Sequence, residues 1–187
     1  MKRRFLAVVP SGLDQNHDLV NLVVKLKRTL REREVALRWV PSALWHVTLA
    51  FLGEAEGDLD FLQDWCALLT VPKLELRVSG LGAFPSSEEA RVLWLGVGAS
   101  QEFLDLQSAL RVRLKTSGFE LEDRPYRPHL TLARFRNPLN ASDLLGLGGR
   151  KHFGDYPVRE LILFESVLEA NVVKYSPQRR WLLPDVV

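Results

Sequence analysis

The chain has 187 residues, 47% of them hydrophobic and 26% charged, which is enough apolar material for a sizeable core without disulfide or metal staples. A single cysteine, Cys66, excludes an internal disulfide framework and any Cys-x-x-Cys zinc site. No apolar run approaches the roughly 18–20 residues of a membrane span, and a net charge of +2 is too mild to imply a polyanionic partner by itself. The opening MKRRFLAVVPSG has the basic start of a signal peptide. Its apolar stretch ends at Val9, however, and Ser11, Asp14, Gln15 and Asn16 follow, so it reads as the first strand of a cytoplasmic protein.

In chain order, Arg4 to Pro10 is predicted as a short buried strand. Leu19, Leu22, Val23, Leu26 and Leu30 then recur at helical spacing. Arg38 to Val40 forms an edge strand closed by Pro41, and His46 to Gly53 (HVTLAFLG) alternates as a strand. A helix over Leu59–Leu69 takes Asp58 as its N-cap and buries Cys66 on its apolar face. Lys73 to Ser79 alternates as a strand. In the second half Arg91–Val97 is a strand, and Ser100 caps a helix carrying Phe103, Leu106, Leu110 and Leu114, with Gly118 past its end. Phe119–Glu122 is a short strand, His129–Phe135 (HLTLARF) a further strand, and Ser142–Leu147 a weak helix. Val158–Ser166 and Lys174–Leu183 finish the chain as strands. Ala83–Ala90 and Gly146–Gly154 read as surface loops, with His17 and His152 on the surface.

Each half therefore repeats strand, helix, short strand, a strand opening on His-x-Thr, helix and strand. His46 and His129 are 83 residues apart, and Leu76 and Leu161 in the next strands along are 85 apart. That agreement predicts an internal duplication over approximately residues 1–86 and 87–187. Units so small cannot each bury a full core, so one bilobal α+β domain spanning 1–187 is expected.

Residues i and i+2 of a strand share a face. His46 with Thr48, and His129 with Thr131, therefore each line one face while their apolar neighbours anchor the other. If the halves are related by a pseudo-twofold, two imidazoles and two hydroxyls meet across a groove, which supplies a general acid, a general base and donors for a substrate's oxygens. Arg124, Arg127, Arg134 and Arg136 crowd the second motif, with no acidic residue from Arg124 through Ala141, and such a field draws a phosphate. Phe5, Trp39, Trp45 and Tyr126 fall near the expected rim, where an aromatic could stack a base. Arg134 lies five residues after His129, so a regular strand points it away from the groove. For it to reach phosphate, the strand must bulge or end near Ala133. Two histidines without Asp, Glu or Cys at ligand spacing make a poor zinc site. GLGGRKHFG lacks the ending of a P-loop, and no Gly-x-Ser-x-Gly elbow is present.

The paired HxTx motifs resemble those of the two-histidine (2H) phosphoesterases. RRFLAVVP, HVTLAFLG, GLGAFP, RVLWLGV, GFELEDRPYRPHLTLARFR and LFESVLEANVVKYSPQRRW are similar to the bacterial and archaeal RNA 2′,3′-cyclic phosphodiesterase branch, also called the 2′-5′ RNA ligase family. The resemblance runs from Arg3 to Leu183, although ANVVKY lacks the glycine usual shortly before the tyrosine. It implies a pseudo-twofold bilobal fold, with two antiparallel sheets flanking a central cleft and helices outside. It implies no cofactor, no metal, no membrane, and a monomer acting on RNA with a 2′,3′-cyclic phosphate terminus, which is hydrolysed to a 2′-phosphate. Carried over by motif, His46 is the proton donor and His129 the proton acceptor. Thr48, Thr131 and Arg134 bind phosphate oxygens, and Phe5 lies near the nucleobase. Reverse 2′-5′ ligation uses the same groups. The alternatives are a non-catalytic binder of RNA ends and a phosphodiesterase for another small cyclic phosphate.

Overall fold

In the computed structural model, which describes residues 2–54, 57–69, 74–149, 151–169 and 172–184, the patterned segments form nine strands and four helices among the described residues. They run β1 (Lys2–Val8), α1 (His17–Glu32), β2 (Leu37–Trp39), β3 (Val47–Gly53), α2 (Phe61–Ala67), β4 (Glu75–Phe84) and β5 (Ala90–Ala99). After these come α3 (Gln101–Thr116), β6 (His129–Leu139), α4 (Ser142–Gly148), β7 (His152–Pro157), β8 (Glu160–Glu169) and β9 (Val172–Leu182). Both long helices are capped as their sequences dictate. The Asn16 side chain accepts from the Leu19 amide and Ser100 from the Phe103 amide, each satisfying a donor that the first turn leaves unpaired. α1 buries Leu19, Leu22, Val23, Leu26 and Leu30, and α3 buries Phe103, Leu106, Leu110 and Leu114.

All strand pairs are antiparallel, and the order across the sheet is β7-β4-β5-β6-β3-β1-β8-β9, with β2 alongside β6. The expectation of two separate sheets is corrected: one sheet is continuous, but only the residue pair Val47–Leu130 joins β3 to β6. Each of these residues directly follows one of the motif histidines, so the seam brings the two HxTx segments together. The order also interleaves the two sequence halves. β4, from the first half, lies between β5 and β7, while β8, from the second half, lies between β1 and β9. Helices cross over as well. Asn16, at the start of α1, donates to the Tyr156 hydroxyl on β7, and Gln107 of α3 donates to the Leu49 carbonyl on β3.

Four local expectations change. Phe119–Glu122 forms no strand: Phe119 is buried, and the Glu122 carbonyl, which a ladder would use, accepts from Arg111 instead. His152–Pro157, read as loop, is the edge strand β7; Phe153 anchors it in the core, and Gly154 at φ 124 takes a backbone conformation that obscures its alternation. Asp58 does not cap α2; its carboxylate accepts from the Asp60 amide in a turn before the helix. β4 continues to Phe84, past the expected end at Ser79, and the expected start at Lys73 lies outside the described residues. The departure at ANVVKY likewise falls on Ala170 and Asn171, outside the described residues.

Candidate active site

The HxTLA segments of β3 and β6 carry matching irregularities. On β3, Ala50 pairs with Leu6 and Thr48 with Ala7, which leaves Leu49 as the extra residue of a bulge. On β6, Ala133 pairs with Leu93 and Thr131 with Trp94, which leaves Leu132. Each bulge turns two successive apolar residues inward, Leu49 with Ala50 and Leu132 with Ala133, and reverses the facing of the residues beyond it. Arg134 thereby moves to the face of His129 and Thr131 and lines the same cavity as His129. The first-half counterpart of Arg134 is Phe51, likewise five residues beyond its histidine, exposed at 47% and lining the same cavity. Alternation alone misses Phe51; the five-residue offset, repeated in the first motif, finds it.

A bulge frees carbonyls from the ladder, and each one here is satisfied. The Leu132 carbonyl accepts from the Val40 amide at 2.8 Å. The Leu49 carbonyl accepts from Gln107, the sole polar side chain in the buried set of the described residues, at 3.0 Å. The Thr48 carbonyl accepts from the Tyr126 hydroxyl at 3.1 Å. Tyr126, expected at the rim, thus braces the first motif from the segment leading into the second.

Both imidazoles are tethered in the same way. His46 Nδ1 lies 2.7 Å from the Leu44 carbonyl, and His129 Nδ1 lies 2.8 Å from the Arg127 carbonyl. A carbonyl only accepts, so Nδ1 carries the proton and Nε2 is the unprotonated nitrogen in both rings. Burial lowers the pKa of each. His46 is pushed down to about 4, with Arg134 and His129 adding charge repulsion, and His129 is lowered with help from Arg134 and Arg124. In the free protein both rings are therefore neutral at pH 7. The walls differ: His46 is enclosed by Phe5, Phe164 and Tyr175, while His129 meets Phe84 edge-on and Trp94 at 6.2 Å.

The cleft opens beside His129 into a cavity of about 590 Å³. Its walls include Thr48, Phe51, Phe84, Tyr126, His129 and Arg134, together with Arg91, Arg111, Arg124 and Arg127. Among the described residues, Glu122 is the one acidic side chain that lines it. Thr131 shares the His129 face of β6. Phe5, expected near a nucleobase, does not line the cavity. It is 3% exposed, with its ring packed between His46 at 4.9 Å and Phe164 at 5.3 Å. Trp45 is buried, with its indole donating to the Val40 carbonyl, and Trp39 lies under Lys27, so neither lines the cavity. Cys66 is buried, which raises its thiol pKa to about 11. Among the described residues no three His, Cys, Asp or Glu side chains gather closely enough to hold a metal ion, and no helix is long and apolar enough to cross a membrane.

Residues 20–163 match the 2′-5′ RNA ligase superfamily. The chain is 34% identical over 150 residues to an RNA 2′,3′-cyclic phosphodiesterase of Methanothermobacter thermautotrophicus, covering 79% of this chain and 78% of that protein. It is 30% identical over 140 residues to the Escherichia coli protein of the same name, covering 74% and 75%. Among solved structures, E. coli LigT complexed with 3′-AMP superimposes with a TM-score of 0.69 at 26% identity, covering 97% of this chain and 98% of that one. A Thermus thermophilus protein, TT0787, gives 0.71 at 26% identity, covering 97% of each. With tethered twin imidazoles at the seam, the LigT-like fold and homologues named RNA 2′,3′-cyclic phosphodiesterase over most of its length, this chain belongs to the 2′-5′ RNA ligase superfamily.

Proposed function

We propose that the protein is a single bilobal domain that hydrolyses the 2′,3′-cyclic phosphate end of RNA to a 2′-phosphomonoester, using two histidines and no metal. The observation that supports this reading is the pair of imidazoles, each with Nδ1 fixed on the carbonyl two residues back, so that each ring keeps its Nε2 for a substrate. Water attacks phosphorus as His129 Nε2 takes its proton. The P–O3′ bond breaks, and the electron pair leaves on O3′, which takes a proton from His46 Nε2. Thr48, Thr131 and Arg134 offset the charge that builds on the nonbridging oxygens. Phe51 offers an open ring face on which the terminal base stacks. With the 5′-hydroxyl of a second RNA in place of water, the same groups support 2′-5′ joining: His129 Nε2 takes the hydroxyl proton, the P–O5′ bond forms, and the P–O3′ bond breaks onto O3′, which His46 protonates.

The donor role requires a protonated His46, although burial and Arg134 hold its pKa at about 4 in the free protein. An anionic phosphate beside both groups cancels the Arg134 field and raises the imidazole pKa, so proton uptake accompanies substrate binding.

Turnover of oligonucleotides ending in a 2′,3′-cyclic phosphate tests the reading. The wild type is expected to hydrolyse them in EDTA, and His46→Ala and His129→Ala are each expected to lose about 10²–10⁴-fold in kcat while still binding. A wild type inactive on every cyclic phosphate would mark a binder of RNA ends. Loss of activity to chelation with recovery on added zinc would sink the metal-free scheme.

A further inference from the structure

The cavity holds more positive charge than one cyclic phosphate uses. A cyclic phosphodiester carries a single negative charge, and Arg134, whose field reaches both imidazoles, is placed to meet it. Of the other guanidinium groups, Arg124 pairs with Glu122 at 3.0 Å, and Arg111 is occupied by the Glu122 carbonyl. Arg91 and Arg127 line the same cavity, and among the described residues neither side chain forms a hydrogen bond or ion pair. β5 places Arg91 next to Val92, the pairing partner of Arg134, and Arg127 lies two residues before His129. Both exposed cations therefore border the place where the reacting phosphate would sit.

The opposite side of Phe51 has the reverse charge. There a groove of about 530 Å³ is lined by Glu54 and Glu120, while Glu122, paired with Arg124, is shared with the first cavity. A polyanion lying over Phe51 would run against these carboxylates, while one continuing toward Arg91 and Arg127 would meet unpaired cations.

We infer that Arg91 and Arg127 form a second anion subsite that binds the phosphodiester on the 5′ side of the terminal nucleotide, making the preferred substrate an RNA chain rather than a free cyclic mononucleotide. This rests on the cyclic phosphodiesterase reading and adds the length and polarity of the substrate to it. Guanidinium groups suit the task because a planar fork grips a phosphodiester without losing its charge.

The test uses the full chain with three substrates: a nucleoside 2′,3′-cyclic phosphate, the dinucleotide bearing it, and the same dinucleotide with an uncharged methylphosphonate linkage. Wild-type kcat/KM is expected to be about 10–100-fold higher on the charged dinucleotide than on either of the others, as two charge-assisted contacts would give. Arg91→Gln combined with Arg127→Gln is expected to collapse that ratio toward one. Equal wild-type kcat/KM on all three substrates, or an unchanged ratio in the double variant, would overturn the subsite. Affinities for the 2′-phosphorylated dinucleotide and its methylphosphonate counterpart separate the two readings. Absence of turnover on every substrate, with a charge-dependent affinity that the double variant loses, removes the hydrolase reading and keeps the subsite. Turnover without charge discrimination does the reverse.

Discussion

His46 and His129 share a motif and a tether but not a neighbourhood. His46 lies deeper, walled by three aromatic rings, and its pKa drops to about 4. Unfolded, the same imidazole titrates near 6.5. Between these values the unfolded chain binds the proton and the folded one does not. The stability from keeping His46 neutral is therefore complete above pH 6.5 and is lost as the pH falls toward 4, by at most about 3 kcal/mol. Urea unfolding at pH 7 and pH 4.5 should show a smaller loss in His46→Gln than in the wild type. The pH dependence of catalysis has the same sign. Depressed values on both rings put the kcat/KM optimum of the free protein on the acid side of pH 6.5. Arg134→Gln removes a charge that lowers both rings, so its kcat/KM profile should move to higher pH while its maximum falls about 10–100-fold, equivalent to ~1.5–3 kcal/mol of a lost charged contact. A profile that falls without moving would show that Arg134 does not tune the histidines.

At the scale of the strand, the bulges decide which side chains face the cavity. They are invisible in the alternation because Leu49-Ala50 and Leu132-Ala133 are apolar pairs, and an apolar pair reads the same with or without an inserted residue. The histidines, the threonines and the capped helices were legible because period-2 and period-3.6 patterns place them directly. Phe51 and Gln107 were not, since one looked like core and the other like an ordinary polar position among leucines. β7 was hidden by Gly154 and by its polar, edge-strand composition. Replacing Gln107 by Leu keeps the volume but strands the Leu49 carbonyl in the interior, which should cost about 1–3 kcal/mol of stability and lower kcat through a misplaced Thr48. A denaturation midpoint equal to that of the wild type would show that the bulge holds without it. On β4 and β5 the aromatic wall of His129 depends on Gly82. A Cβ there would come within 2.1 Å of the Trp94 ring, so Gly82→Ala should displace the indole and cost about 1–3 kcal/mol, with altered Trp fluorescence as the readout.

At the scale of the whole chain, the strand order has a consequence for cutting it. The segment joining β4 to β5 exposes Ser86, Glu88 and Glu89. A protease nick there would divide the sequence near its midpoint, but not the molecule. The N-terminal piece would leave β4 clasped between β5 and β7, and the C-terminal piece would leave β8 clasped between β1 and its own β9. The two fragments should co-elute as one folded species after nicking. Each produced alone should be unstructured by circular dichroism, and mixing them should restore both fold and turnover, a complementation that two independently folded lobes would not need.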